Sequence, residues 1–166
     1  LFDRLREAMG AYDVVVCDTA PGIGDSVLEM NAEASDIVVV AHPEPTALAD
    51  AYALIKVLAT EKKEKKFRLV VNRSQSMQEG LDSYRKLTEV SDEFLNVSVD
   101  YLGSIPEDAA VGRAARGRKS VIGSEPYAPF SVSMERIADK LLASGSPMKT
   151  WDTRSVENLL RVGGQT

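Results

Sequence analysis

Short, nearly continuous apolar runs alternate along this chain with segments of helical spacing. Asp13–Cys17, Asp36–Ala41, Phe67–Val71 and Val97–Leu102 read as β-strands, the fourth interrupted by polar residues. The first two are dense in β-branched side chains, which fits strands buried on both faces of a sheet. Leu1–Met9 carries apolar residues at 1, 2, 5, 8 and 9 and reads as a helix. Leu48, Ala51, Ile55 and Leu58 give a second helix, with Thr46 as its expected N-cap. Leu81, Tyr84, Leu87, Val90 and Phe94 give a third. Ala109–Ala115 is a short helix, and Met134, Ile137, Ala138 and Leu141 mark a last amphipathic one. The charged block Glu61–Lys66 between a helix and a strand reads as a solvated helix end or loop.

The order is βαβα, so the expectation is an α/β fold with an open, mostly parallel sheet and right-handed crossovers. A strand at 13–17 that is apolar on both faces belongs in the middle of such a sheet. These residues supply no second neighbour for it, so an N-terminal portion outside them is expected. Residues 1–143 are expected to form one domain. Ser144-Gly145-Ser146-Pro147 reads as a linker, and the 144–166 tail holds a candidate amphipathic helix, Met148–Val162.

Composition narrows the class. The chain has 166 residues, 44% hydrophobic and 27% charged, which is ordinary for a globular domain. A net charge of −5 argues against a dedicated nucleic-acid surface. No apolar run approaches the roughly 18 residues of a membrane span, and no secretory signal is present. The single cysteine, Cys17, cannot form an internal disulfide, which points to a reducing compartment. Within a strand run it reads as a small buried hydrophobe.

The chemistry concentrates at residues 13–26, Asp-Val-Val-Val-Cys-Asp-Thr-Ala-Pro-Gly-Ile-Gly-Asp-Ser. An apolar run delivers a carboxylate, Asp18, to its tip, and a Pro-Gly turn follows. Nucleotide-hydrolysing folds place an acid near Mg²⁺ in this way, and glycines let backbone N–H groups approach a phosphate. The sequence has no Gly-x-x-x-x-Gly-Lys-Ser/Thr phosphate loop. It therefore carries half of a nucleotide site. Gly24, Asp25 and Ser26 read as the start of the next helix.

Further motifs in order give a family resemblance. Tyr12–Ser26 resembles the Walker B and switch II segment of the MinD/ParA-type ATPases, P-loop proteins with a deviant Walker A. His42-Pro43-Glu44-Pro45 resembles the segment after that family's next strand. Val71-Asn72-Arg73 resembles its base-contacting Asn, and Tyr101–Val121 its adenine-loop region. The segments 50–58 and 79–95 are most similar to the flagellar-number regulators of the FlhG or FleN branch. The resemblance implies the C-terminal part of a three-layer P-loop NTPase domain.

It also implies site residues. Asp18 would hold Mg²⁺ through a water. Thr19 would bond the same water shell or shape the turn. Pro21 would stiffen the loop, and the Gly22 N–H would meet a γ-phosphate. The Asn72 amide, donor and acceptor together, matches an adenine edge, while the plainer reading is a turn Asn satisfied locally. Ile105 and Pro106 would pack on the base. Glu107 and Asp108 would bond the base or cap the following helix, with capping favoured for Asp108. Glu44 would reach nucleotide across a dimer, although the second proline of His-Pro-Glu-Pro departs from the pattern. His42, the sole histidine, reads as a loop residue. Arg113, Arg116, Arg118 and Lys119 form a basic cluster, either a solvated face or a dock for an acidic partner.

The lysines of the deviant Walker A and the switch I aspartate are absent, so no catalytic residue is assigned and the chain alone is expected to hydrolyse ATP negligibly. No Thr/Asn-Lys-x-Asp segment follows a strand, which favours adenine over guanine. The resemblance implies a cytoplasmic switch that binds ATP and Mg²⁺, dimerises with ATP and regulates flagellar number or placement. Its partners would be flagellar assembly or transcription factors, with no direct nucleic-acid binding. Residues 147–166 would contact a membrane peripherally, pack on the domain or stay disordered. Alternatives are a MinD-like division-site ATPase, a ParA-like partitioning ATPase and a non-catalytic interaction module. An iron–sulfur carrier of the Mrp type needs a Cys-x-x-Cys pair, which one cysteine cannot supply.

Overall fold

A computed structural model describes residues 12–143 of the protein. The expected helix Leu1–Met9, the linker 144–147 and the tail helix 148–162 lie outside the described residues. Among the described residues the order is α1 (Asp25–Glu33), β1 (Val38–Ala41), α2 (Pro45–Glu61), β2 (Lys66–Ser74), α3 (Met77–Phe94), β3 (Ser98–Pro106), α4 (Ala109–Arg116), α5 (Val121–Ser124) and α6 (Pro129–Ala143). The three strands form a parallel sheet in the order β1-β2-β3. This is the α/β architecture with a parallel sheet that the alternation predicts.

The first expected strand is absent. Residues 13–17 form no ladder. Val14 and Val16 are 56% and 86% exposed, and Cys17 is exposed rather than buried. The physical reason is that a strand exists only through its ladder partners. The apolar run meets no strand among the described residues with which to pair. The sequence pattern shows the capacity for a strand, and no described strand completes it.

β1 also departs from expectation. Val39 and Ala41 are buried, but Val38 and Val40 are 38% and 60% exposed, so one face is open. The two faces of the sheet are covered by different helices. On one face, Val39, Ala41, Phe67, Leu69, Val71 and Val99 pack with Leu28 of α1, Ile55 and Leu58 of α2 and Leu87 of α3. On the other, Val70, Leu102 and Ile105 pack with Ile137 of α6. No described helix carries that second layer over β1, so its two outer valines face solvent.

β3 is stronger than its polar interruptions suggest. It runs for nine residues and pairs with β2 along its length. Its register shifts where Leu69 pairs with Tyr101 but Val70 pairs with Gly103. Gly103 sits at φ +154, where a side chain would be strained and would press on Ile137 at 3.2 Å. The shift turns Leu102 into the second core layer, and Lys140 of α6 donates to its freed carbonyl at 2.7 Å.

Caps set the helix starts. α2 begins with Pro45 at its first turn and Glu44 at the N-cap, so Thr46 lies inside the helix and is not its cap. Proline suits that position because its missing N–H would have no helical partner anyway. α1 starts after Gly24, as expected. Glu61–Lys66 is the end of α2, a turn with Lys63 at φ 63, and the start of β2. An ion pair ties the base of the sheet, from buried Arg68 to half-buried Asp36 at 2.8 Å.

Candidate functional site

The C-terminal tips of the three strands converge on one side of the sheet, where ligands of parallel α/β folds bind. β1 ends in Ala41 and leads into His42-Pro43-Glu44. β2 ends in Asn72-Arg73-Ser74, and β3 in Ile105-Pro106, followed by Glu107 and Asp108. His42, Pro43, Glu44, Arg73, Gln75, Glu79 and Glu107 line a shallow polar cleft of about 130 Å³ there.

Hydrogen bonds join the three tips. The His42 ring Nδ1 lies 3.3 Å from the Asn72 carbonyl oxygen. The Asn72 side-chain oxygen accepts from the Arg73 backbone N–H at 2.9 Å. Arg73 Nη2 donates to Glu107 Oε1 at 3.0 Å. The Glu107 N–H donates to the Ser74 carbonyl at 3.0 Å. Arg73 itself sits in the left-handed region at φ 57, a conformation uncommon for a residue with a Cβ. The ladder register shifts between Asn72 and Ser74, so β2 steps around Arg73 just where the candidate base site begins.

Asp108 is the N-cap of α4, as its position predicts. Its carboxylate accepts from Ala110 N–H at 2.8 Å and from Phe130 N–H at 3.1 Å. One side chain therefore holds the start of α4 and the first turn of α6. The hydrogen bond from Ala110, then that from Phe130, lowers its pKa below the ordinary aspartate value. α3 opens with a variant of the capping box: Glu79 N–H donates to Ser76 Oγ at 3.1 Å, and Glu79 Oε2 accepts at 2.6 Å from the N–H of Gln75, one residue before the N-cap.

The other site expectations divide. Ile105 is 7% exposed and belongs to the core beneath α6, so its side chain is committed to packing. Pro106 is half-buried beside it. Glu44 is exposed at the rim of the cleft. Asp18, Pro21 and Gly22 are exposed and Thr19 half-buried, all in the irregular segment before α1. Gly22 has φ +103, so a side chain there would be strained. No hydrogen bond or ion pair among the described residues links this segment to the strand tips. The structure thus gathers Glu44, Asn72, Pro106 and Glu107 at the three tips and leaves the Asp18–Gly22 loop apart from their network.

The donor set at Asp18 is one exposed carboxylate. Mg²⁺ keeps several waters and takes further oxygens from substrate phosphates, so a single carboxylate fits its habits. Among the described residues no group of three or more His, Cys, Asp or Glu forms a metal cage.

Residues that motif reading passed over are Arg73, Gln75 and Glu79. The Ser-x-x-Glu spacing at 76–79 is a readable cap signature. The left-handed turn at Arg73 leaves no sequence signal, since arginine is not enriched there. In the basic cluster, Arg113 Nε donates to Glu125 at 3.1 Å, and this bond raises the Arg113 pKa. Arg116, Arg118 and Lys119 are exposed.

The parallel sheet with helices on both faces and a polar cleft across its strand tips is an open α/β domain of the kind that binds ligands at its strand tips. A ParA profile, described as NUBPL iron-transfer P-loop NTPase, matches residues 6–142. The chain belongs to this ParA family of P-loop NTPases, whose members bind nucleotides. It is 40% identical over 141 residues to the antiactivator FleN of Pseudomonas aeruginosa, covering 85% of this chain and 50% of FleN. It is 31% identical over 136 residues to the flagellum site-determining protein YlxH of Helicobacter pylori, covering 81% and 46%. The septum site-determining protein MinD of Bacillus subtilis is more distant, 26% over 153 residues, covering 92% and 56%. The chain spans about half the length of these curated relatives. No helix among the described residues is long and apolar enough to cross a membrane.

Proposed function

We propose that these residues form the base-binding and switch half of an ATP-dependent dimerising ATPase that regulates flagellar number or placement. The observation that carries the reading is the network across the strand tips, which places Asn72 beside Pro106 and Glu107 within a chain 40% identical to FleN. An amide at a parallel-strand tip, next to a proline, suits an adenine edge and face. The names of FleN and YlxH favour flagellar control over division-site selection or partitioning. The iron-transfer description of the family profile does not move the reading, because a Cys-x-x-Cys site needs two thiolates and the sequence has one cysteine.

The roles follow from this reading. Asp18 would hold Mg²⁺ through a water, with Thr19 in the same shell, and that ion would neutralise charge on the bound phosphates. Pro21 would stiffen the turn. Gly22, free of a Cβ and open around its backbone, would offer its N–H to the terminal phosphate and report its loss. Glu44 at the cleft rim would face the nucleotide of a second copy. The phosphate loop, which these residues do not contain, would come from residues outside them. Flagellar assembly or transcription factors would then read the dimeric state.

The test is Asp18→Ala in the complete protein. Light scattering with ATP and Mg²⁺ should show a dimer for the natural sequence and a monomer for the variant. A variant that dimerises as before would remove Asp18 from the site.

A further inference from the structure

The tip of β2 holds a non-glycine residue in the left-handed region, and its side chain is spent on a neighbour rather than on the core. Arg73 lies at φ 57, where the ladder to β3 loses register, and its guanidinium reaches Glu107 across 34 residues of sequence. Both side chains are more than 60% exposed, at 62% and 61%. A solvated ion pair of this kind adds little to stability. Strained backbone persists where its surroundings over-determine it, and such sites concentrate around ligands.

The surroundings here have a definite geometric effect. The Arg73 backbone N–H donates to Asn72 Oδ1 at 2.9 Å, and the Arg73 guanidinium ties the residue that carries this N–H to Glu107. The Asn72 amide is thereby oriented, and its NH₂ has no hydrogen-bond partner among the described residues. Glu107 is fixed twice, by its backbone N–H to the Ser74 carbonyl and by its side chain to Arg73. Pro106, between Glu107 and the buried Ile105, is carried along.

We propose that the Arg73–Glu107 pair is a clasp that sets the Asn72 amide and the Pro106 face in the geometry that receives an adenine base. Arg73 and Glu107 are then positioning residues, acting through Asn72 and Pro106. The proposal rests on the reading of this edge as the base end of a nucleotide site. Its chemistry is specific: the clasp serves the base and not the phosphates. Breaking it costs affinity for adenine nucleotides and leaves the affinity for inorganic triphosphate alone.

The experiment uses the complete protein that carries these residues, with ADP and tripolyphosphate as separate probes in calorimetric titrations. Glu107→Gln and Arg73→Gly each remove the ion pair, and glycine keeps the left-handed conformation. Each should weaken ADP about five- to tenfold without changing tripolyphosphate binding or the thermal midpoint. The exchanged double variant, Arg73→Glu with Glu107→Arg, should recover most of the ADP affinity. If the natural protein does not bind ADP, the nucleotide reading itself fails. If it binds ADP and the single variants bind equally well, the clasp fails alone. Equal losses for ADP and tripolyphosphate, or loss without recovery in the exchanged pair, also overturn it.

Discussion

One carboxylate, Asp108, fastens two helices next to the candidate base site. It accepts from Ala110 at the start of α4 and from Phe130 in the first turn of α6, and those two bonds lower its pKa. The sign of the consequence follows from linkage. A carboxyl group whose pKa is lower in the folded state favours folding most when it is ionised. The benefit is complete above the ordinary aspartate value, about pH 4. It fades as pH falls through the lowered folded value. Asp108→Asn keeps the shape but loses the charge, so the variant should have a lower urea midpoint at pH 7. The gap to the natural sequence should close as the solution is acidified below about pH 4. Urea unfolding followed by circular dichroism at several pH values measures it. A gap that does not change with pH would show that Asp108 contributes only as a neutral cap.

At the scale of elements, α3 shows why a hydrophobic pattern can find a helix and still mistake its buried face. Leu81, Tyr84, Leu87, Val90 and Phe94 correctly announce a helix, yet Val90 and Phe94 are 39% and 64% exposed. The residues buried against the sheet are Gly80, Ser83, Leu87 and Ser91. Small side chains let the helix backbone approach β3 closely, and hydropathy patterns do not register small residues as core. A Cβ on Gly80 would stand 2.6 Å from the Ser104 Cβ and 2.8 Å from the Tyr101 hydroxyl. On propensity alone Gly80→Ala would stabilise the helix by about 1 kcal/mol. The contact reverses that sign, since overpacking of this kind costs about 1–3 kcal/mol. Chemical denaturation should therefore show Gly80→Ala to be less stable, and a stabilised variant would mean that α3 can move away freely. The same contrast runs through the site. The Asp108 cap was legible from its place before a helix, and the placement of Asn72, Pro106 and Glu107 at strand ends was legible from the apolar runs that precede them. The left-handed Arg73 and its partner 34 residues away were not, because backbone sign and long-range pairing leave no local trace. The strand expected at 13–17 failed for the opposite reason: its local signal is strong, but a ladder needs a neighbour.

For the whole molecule, the open face of β1 has a consequence that solution measurements can read. β1 is an edge strand among the described residues, and its open face shows Val38 and Val40. Tyr12, Val14 and Val16 add further exposed apolar surface in the unpaired segment, at 66%, 56% and 86%. Unpaired strand edges flanked by apolar side chains invite pairing with other chains, and proteins commonly guard them with lysine. Neither Val38 nor Val40 is guarded in this way. The 166-residue chain should therefore self-associate as its concentration rises, with or without nucleotide, through this face. Val40→Lys combined with Val38→Thr should suppress the association, because a charge on the open face must be desolvated whenever two edges meet. Substitutions at sites this exposed should alter folding stability by no more than about 0.5 kcal/mol. Sedimentation velocity over a concentration series reads the result directly. A weight-average sedimentation coefficient that climbs equally for both proteins would place the contact elsewhere on the surface. Association that requires ATP would instead assign it to the nucleotide-dependent dimer, whose proposed cross-subunit residue, Glu44, lies at the strand tips rather than on this face.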